Sequence, residues 1–197
     1  MIFLDIIGII AFTISGFLKA IKNNLDILGI INISLITAFA GGVIRDITIN
    51  KTPYIFLNYY PLITSLITIL ILLKYHKKIY LNYKKLYMLF DSIGLSIFTI
   101  TGVLVGLNEN INIFGIVFLG FITAIGGGII RDILLNEIPN IFKNDFYASI
   151  SLIIIITMLL FNKLYILNET TIYIIFIYGV ILRLISKKYK WKLKKLK

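Results

Sequence analysis

The chain carries one pattern twice: Asp5–Phe56 aligns without a gap on Asp91–Phe142. The first copy opens DIIGIIAFTISG and the second DSIGLSIFTITG. Later they read ITAFAGGVIRDITINKTPYIF and ITAIGGGIIRDILLNEIPNIF. Shared apolar composition inflates such a match. Gly8/Gly94, Gly16/Gly102, Gly29/Gly115, Arg45/Arg131, Asp46/Asp132 and Pro53/Pro139 are not composition effects. Self-similarity at a fixed period points to an architecture built from equivalent units.

Composition says what solvent those units face. The chain is 59% hydrophobic with mean hydropathy +0.96, above the roughly 45–50% apolar content of soluble domains. A soluble domain of 197 residues could not hide that much apolar surface, because small domains keep a large share of their surface wet. A spanning helix needs about 20 mostly apolar residues. Seven stretches qualify: 2–21, 27–50, 54–73, 87–107, 111–135, 144–161 and 169–186. Short polar links such as Lys22-Asn23-Asn24 and Asn108-Glu109-Asn110 join them. Lys74–Leu86 reads as one long, charged connection holding His76, and Lys187–Lys197 as a disordered tail. Met1–Ala20 resembles a signal peptide but lacks a basic start and belongs to the repeat, so we read it as a retained helix.

Each copy occupies three helices. Three is odd, so the second copy enters the bilayer from the opposite side. The expected fold is all-α and integral to the membrane, with seven transmembrane helices. An inverted 3+3 repeat is followed by a C-terminal seventh helix. The chain divides into a first repeat with its basic loop (1–86), a second, inverted repeat (87–161), and a seventh helix with a Lys-rich tail (162–197). Inverted repeats are typical of transport proteins.

Lysines orient the chain. With the N-terminus outside, the inner side holds Lys19, Lys22, Lys74, Lys77, Lys78, Lys84, Lys85, Lys143 and the tail lysines; the outer side holds Lys51 and Lys163. We expect the plasma membrane of a prokaryote, with the C-terminus cytoplasmic. The net charge of +11 follows this topology pattern, so no nucleic-acid partner is expected. The tail is expected to meet anionic membrane lipid. With no cysteine and one histidine, the reading expects no catalytic residue, no metal and no cofactor.

The sharpest local motif is Ala40-Gly41-Gly42-Val43-Ile44-Arg45-Asp46, matched by Gly126-Gly127-Gly128-Ile129-Ile130-Arg131-Asp132. Consecutive glycines weaken a helix by about 1 kcal/mol each relative to alanine. Gly41, Gly42, Gly126, Gly127 and Gly128 are therefore candidate kinks. A kink frees carbonyls, and such backbone is tolerated at membrane depth only in protein or beside water. Charges there face the same restriction, which makes Arg45, Asp46, Arg131 and Asp132 candidates for the polar lining or gate of a pathway. Thr37 and Thr123, one turn earlier, offer hydroxyls to it. Two other readings stand beside this one. Glycines often serve close helix packing, and threonine hydroxyls often bond back to their own helix. Asp5 and Asp91 read as helix-starting caps.

The doubled GG-x-[IL]-R-D motif resembles that of the trimeric intracellular cation channels, particularly their prokaryotic branch, also described as glycine-transporter-domain proteins. The resemblance covers about residues 2–186. It implies a homotrimer with a pore in each subunit, lined by the second and fifth helices bent at the glycines. It makes the solute a monovalent cation, chiefly K⁺. The first copy departs from the pattern with Ala40 in place of the first glycine, which implies a milder kink there. Three functions remain in competition: a cation channel, a carrier for a small zwitterion such as glycine, and a membrane scaffold without transport. None is an enzyme.

Overall fold

Lipid offers no partner to backbone N–H and C=O groups, so apolar segments satisfy them internally as helices. The computed structural model describes residues 2–143 and 146–191. Among them the order is α1 (Ile2–Lys22), α2 (Ile27–Thr48), α3 (Tyr54–Leu57), α4 (Tyr60–Tyr80), α5 (Tyr83–Asn108), α6 (Ile113–Leu134), α7 (Asn140–Lys143), α8 (Tyr147–Lys163) and α9 (Glu169–Lys188), with no strand. Helices α1, α2, α5, α6 and α9 are long and apolar enough to cross a membrane; α8 and the Tyr60–His76 part of α4 are shorter apolar helices. Ile63, Ile67 and Leu70 on α4 and Ile174, Ile177 and Ile181 on α9 are exposed, a surface that suits lipid and not water. The chain is an all-helical membrane protein.

The structure corrects several sequence boundaries. The third stretch is not one helix over 54–73. Pro61 stands in the first turn of α4 and has no N–H to give the Leu57 carbonyl, so Tyr54–Leu57 forms a separate turn and Asn58 is extended. The sixth helix spans Tyr147–Lys163 instead of 144–161. Lys74–Leu86 is not a long loop, because α4 and α5 leave only Leu81-Asn82 between them. Hydropathy marks where lipid ends; lysine and tyrosine still propagate a helix beyond that point. His76 accordingly lies exposed on a helix, its Nδ1 2.7 Å from the Leu73 carbonyl. At the other end α9 runs to Lys188, and Trp191 meets Phe146 edge-on at 5.4 Å, so residues 187–191 are ordered. Asn144 and the tail lysines Lys192, Lys194, Lys195 and Lys197 lie outside the described residues, as do the side chains of Lys77, Lys78 and Lys143.

Helices α1, α2, α5 and α6 form the centre; α4 lies against α1, and α8 and α9 lie against α5. Small residues let these four backbones approach. A Cβ at Gly16 would meet Thr37 Oγ1 at 2.6 Å and Ser34 Cα at 2.8 Å; one at Gly102 would meet the Leu119 carbonyl at 2.6 Å and Gly120 Cα at 2.7 Å. The tightest crossing joins α2 to α6. There the space of a Gly41 Cβ is taken by the Thr123 carbonyl oxygen, and that of a Gly127 Cβ by the Thr37 carbonyl oxygen. The exchange is reciprocal, since Thr37 and Gly41 pair with Thr123 and Gly127 in the aligned copies. Phe12 packs on Gly94 and Phe98 on Gly8 in the same reciprocal manner.

Local geometry recurs as well. Asp26 and Asn112 cap α2 and α6 through the N–H groups of Gly29 (2.7 Å) and Gly115 (2.8 Å). Asn24, Asn110, Asn50 and Asn136 take the left-handed backbone that ends each helix, a conformation asparagine adopts readily.

The two faces of the glycine motif can be separated by substitution. At Gly42 and Gly128 an added Cβ has no heavy atom nearer than 3.9 Å and 3.6 Å, respectively. Gly41→Ala and Gly127→Ala should each cost about 1–3 kcal/mol or more by overpacking. Gly42→Ala and Gly128→Ala should be neutral, or gain up to about 1 kcal/mol of helix propensity. Thermal unfolding of the four variants in detergent checks this, and equal losses at all four would refute it.

Candidate functional site

Each Arg–Asp pair ends its helix and ties down the turn that follows. Arg45 Nε donates to Asp46 Oδ1 at 2.8 Å, while Asp46 Oδ2 accepts the Tyr54 backbone N–H at 2.8 Å. Arg131 Nε donates to Asp132 Oδ1 at 2.9 Å, while Asp132 Oδ2 accepts the Asn140 N–H at 2.9 Å. One carboxylate thus serves a charge with one oxygen and a peptide with the other. The conserved geometry explains why the motif needs Asp directly after Arg at the helix end.

Two larger cavities open at opposite ends of α1. The first, about 270 Å³, is lined by Asp5, Gly42, Arg45, Asp46, Tyr54 and Tyr60 together with the C-terminal half of α5. The second, about 510 Å³, lies among Lys19, Tyr87, Asp91, Glu137 and Arg183. The first takes the N-terminal end of α1 and the second its C-terminal end, so they occupy opposite ends of the molecule. A small pocket of about 10 Å³ beside Gly128, Arg131 and Asp132 adjoins the second.

The two ends differ in wiring. Arg45 has a side chain 12% exposed, with Asp46 as its carboxylate. Arg131 is 1% exposed and fully engaged. Its Nη1 donates to Ser15 Oγ at 2.9 Å and lies 3.6 Å from Asp91 Oδ1, and its Nη2 donates to Tyr87 OH at 3.0 Å. Ser15 passes a hydrogen bond on to Asp91 at 3.3 Å, and Asn140 Nδ2 donates to the same Tyr87 oxygen at 2.8 Å. Lys19 joins this cluster: its Nζ lies 3.5 Å from Asp132 and bridges to Glu137. Such a buried network is strong while every member is satisfied and costly when one is removed.

The sequence-derived candidates divide among three places. Gly42, Arg45 and Asp46 line the first cavity. Gly128, Arg131 and Asp132 line the small pocket at the second end. Gly41, Gly126 and Gly127 face the crossing. Helices α2 and α6 run without a break through all five glycines. Thr37 and Thr123 are buried; their hydroxyls donate to Ile33 and Leu119 carbonyls, both at 2.6 Å, and neither lines the cavities described. Asp91 is not a cap: it lies within α5 and faces Arg131. Lys19 is not an exposed orientation lysine but 4% exposed.

Lys19, Ser15, Tyr87, Asp91, Glu137 and Arg183 are the residues the motif did not find. Asp91 left a signal, an acid inside an apolar helix at the position of Asp5. Lys19 and Glu137 left none, because they align with Val105 and Lys51 and so escape a search for repeated residues.

Glu137 sits in the link after α6. Burial pushes its carboxyl up, but hydrogen bonds from Lys19 and Asn23, and the charges of Lys19 and Lys22, outweigh burial and bring it down to about 2. A lowered pKa gives stability that is present above the ordinary value of 4.5 and lost as pH falls towards about 2. The melting-temperature difference between the parent and Glu137→Gln should therefore be constant above that window and vanish across it. At neutral pH, Arg131→Gln should cost about 3–5 kcal/mol by stranding buried carboxylates, and Arg45→Gln clearly less. Unfolding measurements on both variants decide whether the asymmetry is real.

The family model described as "Glycine transporter" matches the chain twice, over residues 2–77 and 88–163. The Bacillus subtilis UPF0126 membrane protein YvgT is 32% identical, covering 96% of this chain and 93% of its own. The Escherichia coli UPF0126 inner membrane protein YadS is 34% identical over 76% of this chain and 73% of its own. Among solved structures, a TRIC cation channel superposes with a TM-score of 0.88 at 35% identity, over 100% of this chain and 97% of that one. The TRIC orthologue from Rhodobacter sphaeroides gives 0.89 at 25% identity, over 96% and 98%. Doubled sequence, matched Arg–Asp turns and full-length superposition agree: the chain belongs to the prokaryotic TRIC channel family, the same family that the glycine-transporter and UPF0126 descriptions denote.

Proposed function

We propose that this protein is a monovalent-cation channel, chiefly for K⁺, in the plasma membrane of a prokaryote, with a pore in each subunit of a homotrimer. The observation that carries the reading is the pair of Gly-x-x-Arg-Asp helix ends on the two crossing helices, one lining the 270 Å³ cavity and the other the small pocket beside Gly128. Movement at Gly41, Gly42, Gly126, Gly127 and Gly128 would bend α2 and α6 and join the two cavities, with Arg45, Asp46, Arg131 and Asp132 guarding the ends and the Thr37 and Thr123 carbonyls in between. Helix C-termini carry partial negative charge, which favours a cation at both ends.

In this reading α1, α2, α4, α5, α6, α8 and α9 make seven spans. Residues 1–86 and 87–161 form inverted halves, and 162–197 adds the last helix. The reciprocal contacts of Gly41 with Thr123 and Gly127 with Thr37 support a two-fold relation between the halves. Lysine placement supports an outer N-terminus and a cytoplasmic C-terminus.

A second reading, transport of a small zwitterion, draws on neighbouring Arg and Asp groups suited to a carboxylate and an amine. One assay separates the two: K⁺ and glycine fluxes in the same proteoliposomes. The channel reading expects K⁺ flux far above leak, and saturable glycine counterflow without K⁺ flux would replace it. Gly42→Leu, which fills the first cavity without touching the crossing, should lower K⁺ flux at least about tenfold in a protein that still folds. An unchanged flux would remove that cavity from the pathway.

A further inference from the structure

The two Gly-x-x-Arg-Asp helix ends border one site twice, at very different volumes. Gly42, Val43, Arg45, Asp46, Tyr54 and Ile55 line the 270 Å³ cavity. Their aligned partners Gly128, Ile129, Arg131, Asp132, Asn140 and Ile141 line the pocket of about 10 Å³. The molecule is therefore open as far as Gly42 at one end and shut at Gly128 at the other.

The bonds at the Arg131 end show what shuts it. The small pocket and the 510 Å³ cavity share Asn140 and Tyr147 in their walls. Arg131 belongs to the small pocket and Tyr87 to the large cavity. Between the two spaces, the Tyr87 oxygen accepts from Arg131 Nη2 at 3.0 Å and from Asn140 Nδ2 at 2.8 Å. The Tyr87 ring stacks on Tyr83 at 6.0 Å and lies 5.4 Å from the Arg131 guanidinium carbon. The Arg45 end lacks the residues for this bridge. At the same offset Tyr87 aligns with Met1 and Asn140 with Tyr54, and methionine has no hydroxyl. Among the described residues, the hydrogen bond and ion pair of Arg45 both go to Asp46.

We propose that Tyr87 is the gate at the Arg131 end, its hydroxyl a bolt between the 510 Å³ cavity and the Gly128 pocket. Drawing the bolt joins the two spaces into a vestibule that reaches Gly128, as the first cavity reaches Gly42. The motion breaks two hydrogen bonds at one oxygen and no ion pair. Arg131 keeps Asp132, Asp91 and Ser15, so its charge stays met. Water that enters takes the place of the phenol on the two donors left behind, and a bridging water is nearly as good a partner as a direct one. The inference rests on the proposed pathway along α2 and α6, and names the residue that closes it in this structure.

The chain has no cysteine, so a single introduced thiol reports alone. Gly42→Cys and Gly128→Cys each add a Cβ that meets no heavy atom nearer than 3.9 Å and 3.6 Å, respectively. The full chain in nanodiscs, wet at both faces, is treated with a small cationic thiosulfonate and the modification rates are measured. Gly42→Cys should react at least about tenfold faster than Gly128→Cys. Adding Tyr87→Phe keeps the ring and removes the bolt. It should speed Gly128→Cys about tenfold, the size of one lost hydrogen bond to a charged group, and leave Gly42→Cys unchanged. If Tyr87→Phe fails to fold, Asn140→Ala decides: it removes one donor to the phenol and keeps the backbone N–H that Asp132 holds. Equal rates at the two thiols in the parent overturn the gate. So does a Gly128→Cys rate that the folded variants leave unchanged, or a rise at both thiols, which is general loosening. Faster labelling of Gly128→Cys without K⁺ flux keeps the gate and removes the channel, so the two readings fail separately.

Discussion

Two peptide backbones touching inside the membrane set the terms for the rest of this structure. At the α2–α6 crossing each glycine presents its Cα hydrogens to a carbonyl of the other helix. Lipid tails are as apolar as leucine, so no hydrophobic force draws helices together there. Close packing and weak Cα–H···O contacts do the work. That contact requires Gly41 and Gly127 and no other residue. It also forces α1 and α5 inward, which is why Gly16 and Gly102 meet small residues and carbonyls. The apolar side chains of the outer helices then need only face lipid.

The electrostatics are built on this frame unequally. Both Arg–Asp turns have the same local bonds, but the second copy adds Ser15, Tyr87, Asp91, Lys19 and Glu137 around Arg131. Each charge in that cluster is held by several partners, so none can move alone. Among the described residues, the hydrogen bond and ion pair of Arg45 both go to its neighbour Asp46, and it lies beside an open cavity. On the proposed passage, the two ends would therefore yield to quite different perturbations.

Much of the fold was legible because it rests on patterns that survive duplication. Glycines at one register, Arg–Asp at one register and asparagines at helix ends all appear twice, and all have matching geometry. Legibility failed in two physical circumstances. Hydropathy could not place helix ends where lysine and tyrosine carry α4 and α5 past the lipid, and it merged α3 with α4 across Pro61. Side chains without a repeated partner were also missed. Lys19 looks like a topology signal in sequence, and only the approach of α1 to the α6–α7 link shows its charge spent on Glu137. The glycine motif itself supported both packing and hinge readings, since a residue without Cβ serves either.

The shared carboxylates of Asp46 and Asp132 have a mechanical meaning. A carboxylate is a rigid plate with two gripping corners, one on a guanidinium and one on the first peptide of a surface turn. Rotating that plate to let go of the arginine drags the other corner with it. Any event that unseats either arginine is thereby geared to the turn at Tyr54 or Asn140, so a displacement within the membrane reaches the rim as a lever stroke.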